Sequence, residues 1–194
     1  MEADRIKWNT RFASEDSYLG EKPSPFLVQE IERIKTLVSG FSALDIACGE
    51  GRNSLFLASH GFKVVGLDIS DVGLAKGRVR AQEVGADIDF RLVDLDEYVL
   101  EEEFDVILNF NFLLRDLIPY EIAALKPGGV LLFDTIMASG PLLQSHNPAY
   151  LLNPGELLNL FKSAEGDILF FEERPAGDMP TARLLFRKKP HTLL

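Results

Sequence analysis

The 194-residue chain has one cysteine, Cys48, so an internal disulfide framework and a Cys-based zinc cluster are both excluded. It has no run approaching the ~18 apolar residues that cross a bilayer, and no membrane partner is expected. The opening Met1-Glu2-Ala3-Asp4-Arg5 lacks the apolar stretch of a secretory leader, so a cytoplasmic protein is expected. Basic side chains are few: 20 Lys and Arg against 30 Asp and Glu, a formal charge of −10. An acidic body repels phosphate backbones, which makes nucleic acid a poor partner. The one basic cluster, Arg187-Lys188-Lys189, reads as a solvated strand end. Repeats, low-complexity stretches and long Pro/Gly/Ser linkers are also missing, so residues 1–194 read as a single domain. With 46% hydrophobic residues, a chain of this size buries enough surface to fold without staples.

Short apolar runs alternate with amphipathic stretches. Residues 1–23 are mixed and polar, with Trp8, Phe12 and Tyr18 as isolated aromatics. Ser24-Pro25 is an N-cap followed by a first-turn proline, and Leu27, Val28, Ile31, Ile34, Leu37 and Val38 recur at helical spacing up to Gly40. Strands are expected at 43–47, 62–67, 88–93, 104–110 and 130–133, with helices at 52–60, 71–84 and about 116–125 between them. Helical stretches separating strands imply βαβ units, hence a doubly wound, Rossmann-like sheet with helices on both faces. After a long segment, 137–153, and a helix from Asn153-Pro154 to about Phe161, the rhythm breaks. Ile168–Glu172 and Arg183–Arg187 are joined through Pro175, Gly177, Asp178 and Pro180, a loop that predicts an antiparallel hairpin. The expected α/β fold is therefore seven-stranded, mostly parallel, with that C-terminal hairpin appended. It divides into a lid segment and helix (1–40), a cofactor-binding core (41–135) and an acceptor-side segment with the hairpin (136–194).

In such sheets ligands sit beyond the carboxyl ends of the strands, at the switch point beside the first strand. The turn there is Asp45-Ile46-Ala47-Cys48-Gly49-Glu50-Gly51-Arg52-Asn53-Ser54. Gly49 and Gly51 admit positive φ and a close ligand approach. The dinucleotide fingerprint wants a third glycine where Ser54 stands, and a Walker loop wants Gly-Lys-Ser/Thr where Gly51-Arg52-Asn53 stands. Glu50 inside the turn would repel a phosphate at the helix N-terminus. Asp68, at the end of the second strand and seventeen residues past Gly51, can accept both hydroxyls of a ribose. A nucleoside without phosphates is the ligand this combination predicts.

With these residues the sequence resembles the class I S-adenosylmethionine-dependent methyltransferases. Leu44-Asp45-Ile46-Ala47-Cys48-Gly49-Glu50-Gly51 matches their first motif, Asp68 their ribose-binding acid, Asp94 their adenine-binding position and Leu125-Lys126-Pro127-Gly128-Gly129 the turn before their fifth strand. The resemblance implies S-adenosyl-L-methionine as cofactor. Contacts to it are implied from Asp45, Gly49 and Gly51, from Asp68 with Ile69, from Asp94 with Leu95, and from Asn109. Outside the core, Trp8-Asn9-x-Arg11-Phe12, Pro23-Ser24-Pro25-Phe26-Leu27 and Gly49-Glu50-Gly51-Arg52-Asn53 are similar to small tellurite-resistance and thiopurine-type methyltransferases. That similarity implies Trp8 as a lid over the cofactor and Arg11 as a partner for its carboxylate.

The acceptor is less legible. The fourth strand ends Asn109-Phe110-Asn111-Phe112, without the two prolines that methyltransferases acting on amide or base nitrogens carry there. Asp134, Asp116 and Asn111 read as solvated caps, not a metal cluster, and no metal is expected. His146 is a loop histidine that could serve as a base; His60 and His191 read as structural or solvated, and Cys48 as a small residue packed under the cofactor. The expected partner is a small-molecule acceptor, a thiol or chalcogen compound among the candidates. A non-catalytic cofactor-binding module and a protein methyltransferase stay open as alternatives, and the oligomeric state stays open too.

Overall fold

The computed structural model describes residues 2–14, 16–177 and 179–190, so His191 and Asp178 lie outside the described residues. In chain order it runs α1 (Glu2–Phe12), α2 (Pro25–Leu37), β1 (Ser42–Ile46), α3 (Arg52–Ser59), β2 (Lys63–Asp68), α4 (Asp71–Glu83), β3 (Ile88–Leu92) and β4 (Phe104–Phe110). A 3₁₀ turn at Arg115–Leu117 leads into α5 (Ile118–Ala123) and β5 (Leu125–Ile136). Then come α6 (Gly140–Ser145), a 3₁₀ turn at Pro148–Tyr150, α7 (Glu156–Phe161), β6 (Gly166–Arg174) and β7 (Thr181–Lys188). The seven strands form one sheet in the order β3-β2-β1-β4-β5-β7-β6. Every pair from β3 to β5 is parallel, whereas β7 runs antiparallel to both β5 and β6.

Alternation along the central strands divides the core between the two faces. In β5, Val130 and Leu132 pack with Phe26, Leu27 and Leu57 beneath α2 and α3, while Leu131 and Phe133 pack with Leu157, Phe161 and Phe186 on the other face. Both faces are covered, which is why these strands read as nearly unbroken apolar runs. The α2 start is the one the sequence indicates: Ser24 caps it through Phe26 N–H, and Phe26 and Leu27 are fully buried.

Three expectations are corrected. Residues 2–12 form a helix, with Glu2 and Asp4 in its first turn where the helix dipole favours acids. The expected polar segment hid this because α1 buries only Phe12 completely. The fifth strand is much longer than 130–133, since it already pairs at Leu125 and takes up Pro127-Gly128 as a register shift. The segment 137–153 carries α6 and a 3₁₀ turn, and Met137 bridges Leu152 at its base.

One buried polar pair lies inside this frame. Asn109 in β4 donates from Nδ2 to Glu121 Oε1 of α5 at 2.7 Å, and both residues have no solvent exposure. Asn109 Oδ1 and Glu121 Oε2 have no hydrogen-bond partner among the described residues. Burial, only partly opposed by the Asn109 bond, pushes Glu121 from 4.5 up to about 8, which keeps the carboxyl neutral in the fold. Glu121 keeps its proton in the fold and loses it on unfolding above pH 4.5. Its stabilising effect is therefore complete below about 4.5 and has gone once pH passes about 8. Glu121→Gln, neutral at every pH, should match the parent near the low end of that window and raise Tm by roughly 9–18 °C at its high end. Thermal unfolding at the two pH values measures this; an equal difference at both would show that Glu121 is not protonated.

Candidate active site

Beyond Ile46 the backbone leaves β1 through three left-handed residues: Ala47 (φ 51°), Gly49 (φ 56°) and Gly51 (φ 75°). Asn111, just past the end of the neighbouring β4, is left-handed as well (φ 57°). Ala47 and Asn111 are the described non-glycine residues with positive φ, and both line the same cavity. Strain of this kind persists where surrounding structure over-determines it, and functional sites are where it concentrates. Here it sits where β1 and β4 diverge, at the switch point of the sheet.

The cavity holds about 400 Å³, enough for a drug-sized ligand. The Asp68 carboxylate forms part of its floor. Oδ2 accepts the Gly49 N–H at 2.7 Å and Oδ1 accepts the Ser70 N–H at 2.8 Å. Burial pushes Asp68 above the usual carboxylate range, against the pull of those N–H groups. Each oxygen keeps a further lone pair for a ligand hydroxyl.

Of the residues marked in the sequence, Trp8, Arg11, Gly49, Asp68, Ile69, Asp94 and Leu95 line the cavity. Asp45, Gly51 and Asn109 do not. Asp45 is buried beneath the turn, where its Oδ2 accepts the Ser54 hydroxyl at 2.6 Å and burial pushes it up to about 7. That bond explains why Ser54 stands where a dinucleotide fold has glycine: its hydroxyl satisfies a buried acid. Gly51 packs on the Phe90 ring, which an added Cβ would approach to 2.7 Å. Asn109 turns to Glu121, so Asn111, two residues on, is the asparagine that reaches the cavity. Cys48 lines it too, but burial and the nearby Asp45 and Asp68 charges push its thiol well above the ordinary range, and it is no nucleophile. Asp134 pairs with Arg183 at 3.2 Å and lies outside the cavity wall. His146 lines the cavity, with Nδ1 2.9 Å from the Ser145 hydroxyl.

The N-terminal aromatics are not isolated. Trp8 stacks on Phe12 at 5.7 Å, and Tyr18 meets both edge-on at 6.0 and 5.9 Å. The spacing of Trp8 and Phe12, four residues apart, was the available signal once a helix is assumed. Phe12 lies against Gly49, where an added Cβ would come within 3.0 Å of its ring.

Glu50 has a structural part in the turn as well. Its carboxylate accepts Ser17 Oγ at 2.6 Å, Tyr18 N–H at 3.0 Å and Lys76 Nζ at 3.0 Å. Burial pushes it up, but the Ser17 and Lys76 bonds outweigh that and hold it below the usual range. Its charge is paired with Lys76, and its carboxylate anchors residues 17–18. Arg52 adds bonds to the Leu19 and Lys22 carbonyls, both at 3.1 Å. Asn9 ties α1 to the start of α4, donating to Asp71 Oδ1 at 2.7 Å and accepting Ser70 Oγ at 2.6 Å.

Residues 43–129 match the family model described as a methyltransferase domain. The ubiquinone biosynthesis O-methyltransferase of Ruegeria pomeroyi is 36% identical over 104 residues, 50% of this chain and 42% of that protein. The enzyme of the same description from Actinobacillus pleuropneumoniae serotype 7 is 33% identical over 124 residues, 58% and 53% respectively. The chain thus spans about half the length of the curated relatives it matches. Among solved structures, TehB from Haemophilus influenzae aligns with a TM-score of 0.71 at 23% identity, over 84% of this chain and 62% of that one. The N-methyltransferase NodS from Bradyrhizobium japonicum aligns at 0.73 and 18%, over 95% and 97%. The [4+2]-cyclase SpnF has the same fold, with a TM-score of 0.68 at 21% identity over 86% and 81%. The resemblance to class I methyltransferases read from residues 40–135, and the seven-stranded Rossmann-like sheet it implies, are borne out.

The Glu50 anchor has a measurable consequence. Glu50→Gln removes a charged acceptor worth roughly 1.5–3 kcal/mol and leaves Lys76 unpaired. Limited proteolysis within residues 13–23 should then speed up roughly tenfold or more. An unchanged cleavage rate would show that the aromatic cluster and the Arg52 bonds hold residues 17–22 without Glu50.

Proposed function

We propose that the chain is an S-adenosyl-L-methionine-dependent methyltransferase acting on a small-molecule acceptor. The observation that carries this reading is one cavity lined by the glycine turn after β1, Asp68 at the end of β2 and Asp94 just past β3. A ribose needs two acceptors where the chain comes close, and Asp68 beside Gly49 supplies them. Asp94 and Leu95 would hold the adenine, with Ile69 against its face. Arg11 would meet the cofactor carboxylate, with Trp8 above it. Asp45, Gly51 and Asn109 would act from behind the wall: Asp45 and Gly51 shape the turn, and Asn109 fixes the end of β4.

When bound, the cofactor would supply a sulfonium methyl group for in-line displacement by the acceptor's lone pair, the electron pair of the broken carbon–sulfur bond returning to sulfur. The protein's part is alignment and exclusion of water. Phe110, Phe112, Leu113 and Ile136 give the acceptor side an apolar wall. His146 lines this cavity and would be a candidate to take a proton from an acceptor that needs a base. A soft acceptor, a thiol or another chalcogen compound, suits this wall because its nucleophile needs little help from a base. Because α1 and the 147–150 turn both line the cavity, a small molecule fits better than a side chain on a protein surface.

Thermal unfolding with S-adenosylmethionine, S-adenosylhomocysteine, NAD and ATP in parallel tests the reading. The two sulfur nucleosides at about a hundred times their Kd should add roughly 2.7 kcal/mol of stability. NAD and ATP should add none. Asp68→Asn, which keeps the acceptor to Gly49, should weaken S-adenosylmethionine binding by roughly 1.5–3 kcal/mol. Unchanged affinity in a folded variant rejects Asp68 as the ribose acid.

A further inference from the structure

Tyr18, Arg11, Trp8, Lys7 and Tyr150 all line the cavity, and in that order they form one row of alternating rings and cations. Arg11 Cζ is 5.4 Å from the Tyr18 ring and 4.8 Å from that of Trp8. Lys7 Nζ continues the row, 5.6 Å from the Trp8 ring and 5.5 Å from that of Tyr150. The chain has a net charge of −10, yet neither cation is paired with a carboxylate among the described residues. Both are spent on rings.

The two ends of the row are fastened separately. Tyr18 is held by Glu50, which accepts its N–H at 3.0 Å. Tyr150 ends the 3₁₀ turn at Pro148–Tyr150, where Arg115 donates to the Ala149 and Leu151 carbonyls at 2.6 and 2.9 Å. The acids around Tyr150 show which end of the cavity it faces. Burial raises its phenol above the ordinary range, and the neighbouring Asp4 and Asp96 charges raise it further. Both acids line the cavity, and Asp96 donates its N–H to Asp94 Oδ1 at 3.2 Å, just past the end of β3. Tyr150 therefore stands at the β3 end, beside the residues assigned to the adenine, although it belongs to the segment expected on the acceptor side. Arg11, one helical turn on from Lys7, is the residue assigned to the cofactor carboxylate, so the row follows the cofactor from its base towards its amino-acid end.

The Tyr150 ring is open to a ligand there. Its one ring contact among the described residues is the Lys7 ammonium, its hydroxyl makes no hydrogen bond among them, and the residue is 42% exposed. The purine is the part of the cofactor with a flat face for such a ring, and stacking of a base on an aromatic side chain needs no hydrogen bond to form. We infer that Tyr150 is a further binding residue for the cofactor, its ring covering the adenine at the β3 end of the cavity, and that Lys7, shared between Trp8 and Tyr150, is the positioning residue that holds it there. The inference rests on the methyltransferase reading for the identity of the ligand, and it adds to that reading a contact from the segment after β5.

Titration calorimetry with three ligands tests it. They are S-adenosylhomocysteine, adenosine, which keeps the base without the amino-acid end, and S-ribosylhomocysteine, which keeps the amino-acid end without the base. Tyr150→Ala should weaken S-adenosylhomocysteine and adenosine roughly tenfold and leave S-ribosylhomocysteine unchanged. Tyr150→Phe, which keeps the ring, should bind all three as the parent does, and a side chain this exposed can be changed without disturbing the core. Lys7→Met should weaken the two base-bearing ligands roughly two- to fivefold, cause no further loss when combined with Tyr150→Ala, and be rescued by Lys7→Arg. A loss in Tyr150→Ala that extends equally to S-ribosylhomocysteine overturns the inference, and additive effects of the Lys7 and Tyr150 substitutions overturn the positioning role of Lys7. Tight binding of S-adenosylhomocysteine that ignores Tyr150→Ala sinks the inference alone. A parent that binds neither base-bearing ligand sinks the inference and the methyltransferase reading together.

Discussion

The Asp68 carboxylate is the constraint on which the site depends. It ends β2, and its two oxygens take one backbone N–H from the turn after β1 and one from the start of α4. Two helix entrances are thereby fixed relative to each other by a single side chain. The arrangement is costly in isolation, because a buried carboxylate loses its hydration. The two N–H bonds offset part of that loss, and burial still leaves the acid above its ordinary range. A ligand that brings hydroxyl donors to the remaining lone pairs completes the compensation. The same side chain is thus a structural tie and an unfinished hydrogen-bonding site.

Around that tie the N-terminal residues are built onto the turn from several sides. Phe12 covers Gly49, Glu50 holds residues 17–18 and Arg52 holds residues 19 and 22. Glu50 and Arg52 are neighbours of the glycines in sequence, so the segment that shapes the cofactor turn also carries the fastenings of its cover.

The sheet was legible because its signals are local and repeated. Apolar runs such as Val64–Leu67 and Val106–Leu108 between helical stretches report a sheet covered on both faces, and the loop through Pro175 and Gly177 reports the hairpin. The acids that line the cavity, Asp68 and Asp94, were legible because they stand at or just past strand ends, and strand ends in this topology converge. What escaped had no local signature. Asn111 reaches the cavity only because the backbone turns left-handed there, and Ala47 does the same with a residue that gives no hint of it. Tyr150 and Lys7 are 143 positions apart, and their meeting depends on the turn that Arg115 holds. The anchoring by Glu50 had no local signature because its partners, Ser17 and Lys76, come from separate stretches that only the tertiary structure brings together.

The division of labour in the cavity follows from the same geometry. The floor is made by strand ends and their turns, which any member of this fold must place in much the same way. The roof is made by α1 and the 137–153 segment, whose sequences answer to no such requirement. That is why proteins as different in reaction as an N-methyltransferase and a [4+2]-cyclase can share this sheet. Discrimination between acceptors therefore has to be sought in the roof.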